Sequence, residues 1–396
     1  MYICRKGKKD GEEYMTKLEK LIKDLCSNGV NKVPISEICS ISRGVVISKD
    51  YIRDNEGEYP VYSSQTENDG CLGKINTYVY DGKYITWTTD GANAGTVFYR
   101  EGRFNITNVC GILKVEASGV DIKYLYYALS IEAPNHVNAG MGNPKLMSNI
   151  MARIQIPLPP LAVQREIVRI LDKFTLYSQE LVAELAARRV QYGYYRDKLL
   201  SYNNAVEYYS LNTLAKFTYG YTDKAKDSGD VRFIRITDIN DDGCLCKEGA
   251  KYIDITEDNK KYLLKKGDLL LARTGATYGR TLYVPDDSPA IYASFLIKIA
   301  LDNSKILNRY YWHFSKSRLY WQQAEKLVSV GGQQQFNTNA VGRVIVPLPP
   351  LEIQERIVKV LDNFDAICSD LGIGLPAEIE ARQRQYEYYR DKLLQF

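Results

Sequence analysis

The sequence is poor in the residues from which metal and catalytic sites are usually built. It has two histidines, His136 and His313, which stand far apart. Of its eight cysteines only Cys244 and Cys246 lie close together, and a C-x-C pair lacks the spacing of a structural zinc site. Isolated cysteines of this kind are typical of free, buried thiols. The sequence therefore predicts no metal site and no disulfide framework, and it implies no cofactor.

Signatures of enzymes that act on nucleotides or nucleic acids are also missing. The G-A-x-x-G elements at Gly91 and Gly275 lack the third glycine of a dinucleotide fingerprint and the G-K-[ST] of a P-loop. Asn143-Pro144 is followed by Lys145, so the N-P-P-[YF] motif of amino-methyltransferases is not formed. No metal-nuclease D/E-x-K follows Pro285-Asp286, and there is no nucleophile elbow. We therefore expect a protein that performs no chemistry itself.

Long apolar runs and a strong net charge are missing as well. No window offers the roughly 18 apolar residues of a membrane span, and the opening MYICRKGKKDGEEYM has no apolar core of a secretory signal. These features predict a cytoplasmic protein without a membrane partner. A net charge of +4 neither proves nor excludes a nucleic-acid partner. A chain of 396 residues exceeds the usual size of one core, which predicts two or more domains.

What the sequence does contain is an internal repeat. PLPPLAVQREIVRILDKF (157–174) returns as PLPPLEIQERIVKVLDNF (347–364), and QYGYYRDKLL (191–200) returns as QYEYYRDKLL (385–394). The first pair is 190 positions apart (157 to 347) and the second is 194 apart (191 to 385), so the second copy holds four extra residues. They lie near Gly372–Pro376, in LGIGLPAEIEAR. The chain is a tandem duplication in which two similar tails follow two divergent globular halves.

Both tails carry a heptad pattern, which is typical of coiled-coil helices. The a/d seam of the first tail consists of Ile167, Leu171, Phe174, Ser178, Leu181, Leu185, Arg188, Tyr192, Tyr195 and Leu199. The second seam runs through Ile357, Leu361, Phe364, Cys368, Leu371, Leu375, Ile379, Arg382, Tyr386, Tyr389 and Leu393. Its additional step of four is a stutter, and Gly372, Gly374 and Pro376 favour a kink or short break there. We expect the tails to pair with each other, and antiparallel pairing is favoured over docking of each tail on its own half.

Each globular half is predicted to be mixed α/β. Candidate strands are YPVYSS (59–64), NTYVY (76–80), GKYITW (82–87), NVCGILKV (108–115), VRFIRITDI (231–239), DLLLAR (268–273), RTLYVP (280–285) and YASFLIKIAL (292–301). Helices are predicted at IKYLYYALS (122–130) and NRYYWHFSKSRLYWQQAEK (308–326). Polar loops between these elements carry the Arg, Asn, Gln, Ser and Thr side chains that contact base edges and phosphates, although such loops are more often simply solvated.

The repeated PLPPL-x-x-Q-x-x-IV-x-x-LD-x-F and QY-x-YYRDKLL motifs resemble those of the specificity subunits of type I restriction–modification systems. TKLEKLIKDLC (16–26) and GDLLLARTGATYGR (267–280) are similar to that family as well. The resemblance covers nearly the whole chain and is weaker in the globular halves. It implies two target recognition domains, each binding one half of a bipartite double-stranded DNA sequence, joined by two helices that form an antiparallel coiled coil. It also implies two modification (methyltransferase) subunits, with restriction subunits completing the complex and with catalysis belonging to those partners.

The expected division of the chain is 1–155 for an N-terminal helix and the first recognition domain, 156–204 for the central helix, 205–345 for the second domain and 346–396 for the C-terminal helix. Loop chemistry gives the candidate DNA-binding residues Arg43, Ser64, Gln65, Thr88, Asn93, Tyr219, Tyr221, Arg235, Arg273, Thr274, Tyr278, Gln333, Gln334 and Gln335. Outward positions of the repeated string give the candidate partner-binding residues Tyr194, Arg196, Lys198, Tyr388, Arg390 and Lys392. Contact of their charges with DNA phosphate, or a plain solvated face, remains open as an alternative.

Three other functions remain open at this point. The chain could be the specificity chain of a fused or self-contained system, a duplicated scaffold that binds protein or sugar, or a catalytic DNA methyltransferase, which the missing motifs disfavour. Salt-dependent binding to random duplex DNA would separate a DNA-binding protein from a scaffold, because counterion release makes DNA affinity fall with salt.

Overall fold

The protein is described by a computed structural model that covers residues 17–202, 206–246, 248–328, 335–370 and 372–396. The chain forms two compact units. Unit 1 consists of Met1–Gln179 together with Ala381–Phe396, and unit 2 consists of Glu180–Glu380. Each unit is therefore a globular half plus parts of both tails. Within the described residues, no helix is both long enough and apolar enough to cross a membrane.

Unit 1 contains a six-stranded sheet and a separate two-stranded pair. Its strands are β1 (Lys32–Pro34), β2 (Cys39–Arg43), β3 (Glu56–Tyr62), β4 (Cys71–Ile75), β5 (Tyr80–Thr88), β6 (Val97–Ile106), β7 (Cys110–Val115) and β8 (Gln155–Pro157). The large sheet has the order β2-β7-β5-β6-β3-β4, in which β3 and β6 are parallel and the other neighbours antiparallel. The pair β1–β8 is antiparallel and leads directly into the first tail.

Ahead of the first tail, unit 1 has five α-helices within the described residues. They are α1 (17–25), α2 (Ile35–Ile38), α3 (Lys49–Asp54), α4 (Ile122–Asn135) and α5 (Ser148–Met151). Of these, α4 packs against β5 and β6. Helix α4 begins after Asp121, whose carboxylate accepts hydrogen bonds from the backbone N–H groups of Lys123 and Tyr124. Ile85 and Trp87 lie on the same face of β5, two residues apart, and both are fully buried in the same cluster as Leu125 of α4.

Unit 2 has the same kinds of elements in smaller sheets. Its strands are β9 (Glu207–Ser210), β10 (Ala215–Tyr219), β11 (Val231–Ile234), β12 (Tyr252–Ile253), β13 (Leu269–Ala272), β14 (Thr281–Tyr283), β15 (Ala290–Tyr292), β16 (Leu296–Leu301) and β17 (Ile345–Leu348). Their sheets have the orders β10-β16-β13-β14, β12-β11-β15 and β17-β9. Its short helices are α7 (Leu211–Leu214), α8 (Asn308–Phe314), α9 (Arg318–Leu327) and α10 (Thr338–Gly342).

The tails are helical, but only the first is a single helix. They form α6 (Leu161–Leu199), α11 (Leu351–Ser369) and α12 (Leu375–Leu393). The second tail breaks where the extra residues stand: Asp370 Oδ1 accepts hydrogen bonds from the backbone N–H groups of Gly372 and Ile373. A side chain at Gly374 would meet the Ala366 carbonyl oxygen at 2.5 Å, so the chain can pass this point only with glycine. The predicted break is confirmed.

Helix contacts inside each unit are antiparallel. In unit 1, Phe174 stacks on Tyr389 (5.4 Å between ring centroids), and three residues further along α6 Tyr177 lies under the guanidinium of Arg382, earlier in α12. In unit 2, Tyr195 stacks on Phe364 in the same way (5.5 Å). Phe174, Tyr195, Phe364 and Tyr389 occupy the predicted seam, whereas Tyr177 lies one position before it. The expected fold class of two α/β halves with antiparallel paired helices is confirmed.

Several predicted elements differ in extent. The segment 76–80 is almost entirely outside a strand: it connects β4 to β5, and Tyr78 packs against Tyr59 instead. The predicted helix 308–326 is two helices, because Ser317 caps α9 by accepting a hydrogen bond from the backbone N–H of Tyr320. The strand predicted at 231–239 ends at Ile234, and the one at 292–301 is divided between β15 and β16.

Candidate DNA and partner interfaces

A buried glutamine in each tail fixes the start of the repeat helix on its own unit. Gln164 accepts a hydrogen bond from the backbone N–H of Asp121 (2.8 Å) and donates to the carbonyl oxygens of Gly119 (2.9 Å) and Pro159 (2.7 Å). Gln354 makes the same three bonds, to Leu307 (2.9 Å), Lys305 (2.8 Å) and Pro349 (2.8 Å). Both side chains are fully buried. The glutamine of the PLPPL-x-x-Q motif thus holds the tail helix on its globular half by three buried hydrogen bonds, an arrangement that we call a clamp.

The D of LD-x-F forms a second clamp. In unit 1, Asp172 accepts hydrogen bonds from Lys123 Nζ (2.6 Å) and Tyr127 Oη (2.7 Å). In unit 2, Asp362 accepts a hydrogen bond from Arg309 Nε (2.7 Å) and lies 2.8 Å from His313 Nε2. Each carboxylate therefore ties a tail helix to the first turns of α4 or α8.

His313 is neutral in this arrangement. Its ring is fully buried, and burial lowers its pKa from 6.5 to about 4, although Asp362 opposes that shift. Nε2–H can then donate to Asp362 while Nδ1 accepts from Tyr192 Oη (3.0 Å). Through His313, hydrogen bonds thus link Tyr192 of the first tail to the Asp362 carboxylate of the second tail.

The repeated strings present two surfaces of the same geometry. Tyr194 packs edge-on against Tyr195 with 5.3 Å between ring centroids, and Lys198 Nζ lies 5.8 Å from the Tyr194 ring. Tyr388 packs on Tyr389 at the same 5.3 Å, and Lys392 Nζ lies 5.9 Å from the Tyr388 ring. Tyr194 is 60% exposed and Tyr388 61%. We call 194–198 patch A and 388–392 patch B.

The two arginines of these patches point back toward the helix. Arg196 lies over the ring of Tyr192 and contacts Asp197, while Arg390 lies over Tyr386 and contacts Asp391. Their side chains are 18% and 23% exposed, although the sequence places both on the face away from the seam, and their contact with a partner stays a prediction. The exposed tyrosines and lysines make up most of what each patch offers to a partner.

The structure brings some of the candidate DNA-binding residues of unit 1 together. Arg43, at the end of β2, donates from Nη2 to Thr89 Oγ1 (2.7 Å) and approaches Asp90 (3.5 Å). Asn93 is exposed in the same loop. Thr88 is fully buried and its hydroxyl bonds the backbone of that loop, so it shapes the loop and has no exposed surface.

Ser64 and Gln65 lie on another loop, between β3 and β4. Gln65 Nε2 donates to the carbonyl oxygen of Cys71 (2.7 Å), which ties the loop to the start of β4. Both side chains are half-buried.

In unit 2, Arg273 stands at the centre of the candidate residues. Its guanidinium lies over the rings of Tyr219 (5.2 Å) and Phe295 (5.4 Å), and its Nε donates to the carbonyl oxygen of Ser294 (3.1 Å). Thr274 is 3% exposed and forms a backbone bridge with Gln335. Gln333 and Gln334 lie outside the described residues.

The remaining candidates of unit 2 have structural partners. Arg235 pairs with Asp238 (2.8 Å) and donates to the Gly249 carbonyl oxygen (3.0 Å), and the Asp238 hydrogen bond raises the pKa of its guanidinium. Tyr221 packs on Tyr262, and Tyr278 packs between Trp321 and Phe336. Contact of any of these side chains with DNA stays a prediction.

Glycines allow the segments around Arg43 in unit 1 and around Tyr219 in unit 2 to be built alike. We call these two segments, which carry candidate DNA-binding residues, the recognition edges. A Cβ at Gly44 would lie 2.2 Å from the Ile106 carbonyl oxygen, and one at Gly220 would lie 2.3 Å from that of Ala293. Backbone therefore packs on backbone directly after Arg43 and directly after Tyr219, which only glycine permits. The sequence contains these two glycines in SRG and TYG, but the close backbone contacts that require them can be recognised only from the fold.

Comparison with known proteins identifies the family. The family model "type I restriction modification DNA specificity domain" matches residues 28–187 and again 203–381. A Mycoplasma pneumoniae protein named as a type I specificity subunit is 33% identical over 91% of this chain and 96% of its own length. A Haemophilus influenzae protein named as a type I restriction enzyme specificity subunit is 30% identical over 96% of this chain and 98% of its own.

A solved structure supports the fold. The crystal structure of a type I restriction–modification S subunit from M. genitalium aligns with a TM-score of 0.58 over 93% of this chain and 97% of that chain, at 16% identity. The duplicated halves, the paired repeat helices and the two matches of the family model agree, and the chain belongs to the DNA specificity subunits of type I restriction–modification systems.

Proposed function

We propose that this chain recognises an asymmetric, two-part sequence in double-stranded DNA and directs modification and restriction subunits to it, without catalysing a reaction itself. Unit 1 binds one half-site and unit 2 the other. The observation that carries this proposal is the contrast between the constant and the variable parts of the duplication. Patches A and B have the same geometry, whereas the side chains at the two recognition edges differ, with Arg43 in one and Tyr219 and Arg273 in the other.

Methylation-site sequencing tests the proposal. DNA from a host that carries this chain with its modification subunits is expected to show adenine methylation at one motif made of two different half-sites and an unspecified spacer. Exchanging residues 17–155 for the corresponding part of another family member is expected to change one half-site and leave the second intact. Methylation without a defined motif, or a motif that does not respond to the exchange, would contradict the proposal.

Patches A and B are proposed to hold one modification subunit each. Both expose a tyrosine ring with a lysine above it, and exposed aromatic anchors are typical of binding hot spots. Along α6, patch A continues into Val190, which is 74% exposed. Two geometrically equal surfaces on one chain predict two copies of the same partner.

Tyr194→Ala and Tyr388→Ala are therefore each expected to remove one partner copy. Loss of an aromatic anchor costs about 2 kcal/mol, or roughly thirtyfold in affinity. Native mass spectrometry of the assembled complex should show one modification subunit with either single variant and none with the double variant. The control is Tyr51→Ala, which removes a 47% exposed tyrosine elsewhere on unit 1. Two copies bound with wild-type affinity in both single variants would refute the assignment of the patches.

A further inference from the structure

The recognition edges of the two units are built on the same backbone. In unit 1 the Leu146 N–H donates to the Thr89 carbonyl oxygen (2.9 Å), and Asp90 forms a bridge with Lys145. In unit 2 the Phe336 N–H donates to the Arg273 carbonyl oxygen (2.8 Å), and Thr274 forms a bridge with Gln335.

A second bridge is shared as well. Val45 pairs in parallel with Thr107, and Tyr221 pairs in parallel with Ala293. Each bridge follows a glycine, Gly44 or Gly220, whose missing Cβ allows the close approach. Residues 43, 90 and 145 of unit 1 thus correspond to residues 219, 274 and 335 of unit 2.

The side chains at these corresponding positions differ in charge. Unit 1 has a cleft of about 580 Å³ whose polar lining comes from Arg43, Asp90, Asn108, Asn143 and Lys145. The counterparts of Arg43, Asp90 and Lys145 are Tyr219, Thr274 and Gln335, so a carboxylate between two cations is replaced by three neutral side chains. Two modules that share a backbone but differ in the side chains at these positions can bind different half-sites.

Asp90 is held in a defined position in the unit 1 cleft. Its Oδ2 accepts a hydrogen bond from Thr89 Oγ1 (2.6 Å) and lies 3.5 Å from Arg43 Nη2. Its Oδ1 lies 3.9 Å from Lys145 Nζ, beyond hydrogen-bond distance. The Asp90 side chain is 22% exposed and lines the cleft.

We infer that Asp90 is a base-specifying residue of unit 1 and that its carboxylate accepts a hydrogen bond from the exocyclic amino group of a cytosine or an adenine. A carboxylate only accepts hydrogen bonds, so it distinguishes the amino group of cytosine or adenine from the O4 of thymine or the O6 of guanine in the major groove. Phosphates would repel an isolated carboxylate, and Arg43 and Lys145 on either side of Asp90 offset that repulsion. This inference rests on the proposed function and assigns the chemistry of one of its half-sites.

The test is Asp90→Asn in the complete chain with its modification subunits, compared with wild type by methylation-site sequencing. An amide both donates and accepts, so the preference for an amino base over the corresponding keto base should fall at least tenfold at one position of one half-site. The second half-site should remain unchanged. Asp81→Asn is the matched control, because Asp81 lies at the other end of β5 and pairs with Arg103 (3.0 Å).

A second variant keeps the inference testable if Asp90→Asn fails to fold. Lys145→Gln installs the side chain that unit 2 has at the corresponding position, and Lys145 is 50% exposed. The affinity of the Lys145→Gln complex for a duplex carrying the wild-type motif should fall. The slope of log affinity against log salt should become less steep by about one.

The possible results distinguish a wrong assignment of Asp90 from a wrong proposed function. An unchanged motif in a folded Asp90→Asn complex overturns the role of Asp90, as does wild-type affinity and salt slope in Lys145→Gln. In both cases the proposed function stands, because the wild-type chain still determines a two-part motif. Absence of any motif with the wild-type chain overturns the proposed function and the role of Asp90 together.

Discussion

Gln164→Leu is expected to destabilise unit 1 by roughly 3 kcal/mol or more, and Gln354→Leu to destabilise unit 2 by the same amount. Leucine has a similar volume but cannot replace the three hydrogen bonds that each glutamine makes. One N–H and two carbonyl groups would lose their partner in a buried environment, and each such loss costs about 1–3 kcal/mol. The start of the repeat helix should detach from its unit.

Hydrogen exchange resolved by peptide would measure this effect unit by unit. Peptides of β8 and α4 should lose protection in Gln164→Leu, and peptides of β17 and α8 should lose it in Gln354→Leu. Gln179→Leu is the matched control on the same α6 helix, because Gln179 is exposed and exposed substitutions change stability by at most about 0.5 kcal/mol. Equal protection in Gln164→Leu and Gln179→Leu would show that the glutamine is no clamp.

Unit 2 is expected to lose about 3 kcal/mol of stability between pH 6.5 and pH 4 through His313 alone. The unfolded chain binds a proton at this histidine below pH 6.5, whereas the folded protein, with a pKa of about 4, does not. Stability is therefore fully present above pH 6.5 and falls as the pH drops toward 4, at 1.36 kcal/mol per pH unit. Arg309 and Lys316 on α8 and beside it strengthen the shift, and Asp362 from α11 weakens it.

The measurement is the free energy of unfolding against pH for wild type and His313→Gln. Glutamine can still donate to Asp362 but does not titrate, so its profile should be flatter between pH 6.5 and 4. Carboxylates titrate in both proteins, and the difference between the two profiles isolates His313. His136→Gln, which makes the same substitution at an exposed histidine, is the control for the change of residue itself. Parallel profiles for wild type and His313→Gln would contradict the assignment.

The features that sequence reasoning predicted best are those fixed by local periodicity. Phe174, Tyr195, Phe364 and Tyr389 fall on a heptad seam, and they stack on each other in pairs as the seam requires. The break after Ser369 was predictable because glycine and proline cluster there. In both cases the residues that determine the structure are neighbours in sequence.

What was missed depends on contacts between distant segments. The Q and D of the repeated motifs stand out as polar residues within apolar runs, yet most of their partners lie more than 40 residues away, as with Gln164 and Asp121 or Asp172 and Tyr127. Arg235 has the chemistry of a DNA-binding residue, but Asp238, one turn later, takes its guanidinium. Asp90 was not a candidate because a carboxylate is an unexpected group beside phosphates until Arg43 and Lys145 are seen on either side of it.

The helix contacts of unit 1 have a consequence for synthesis on the ribosome. Leu393 and Leu394 are buried in the same core as Leu18, Ile167 and Leu171, and Tyr386 and Tyr389 pack against it. At about 5–20 residues per second, translation takes tens of seconds to proceed from Gln179 to Ala381. During that interval the nascent N-terminal half exposes an apolar groove that its own later segment must fill. Chaperone binding to this groove, and the risk of aggregation, should therefore end only when α12 leaves the exit tunnel.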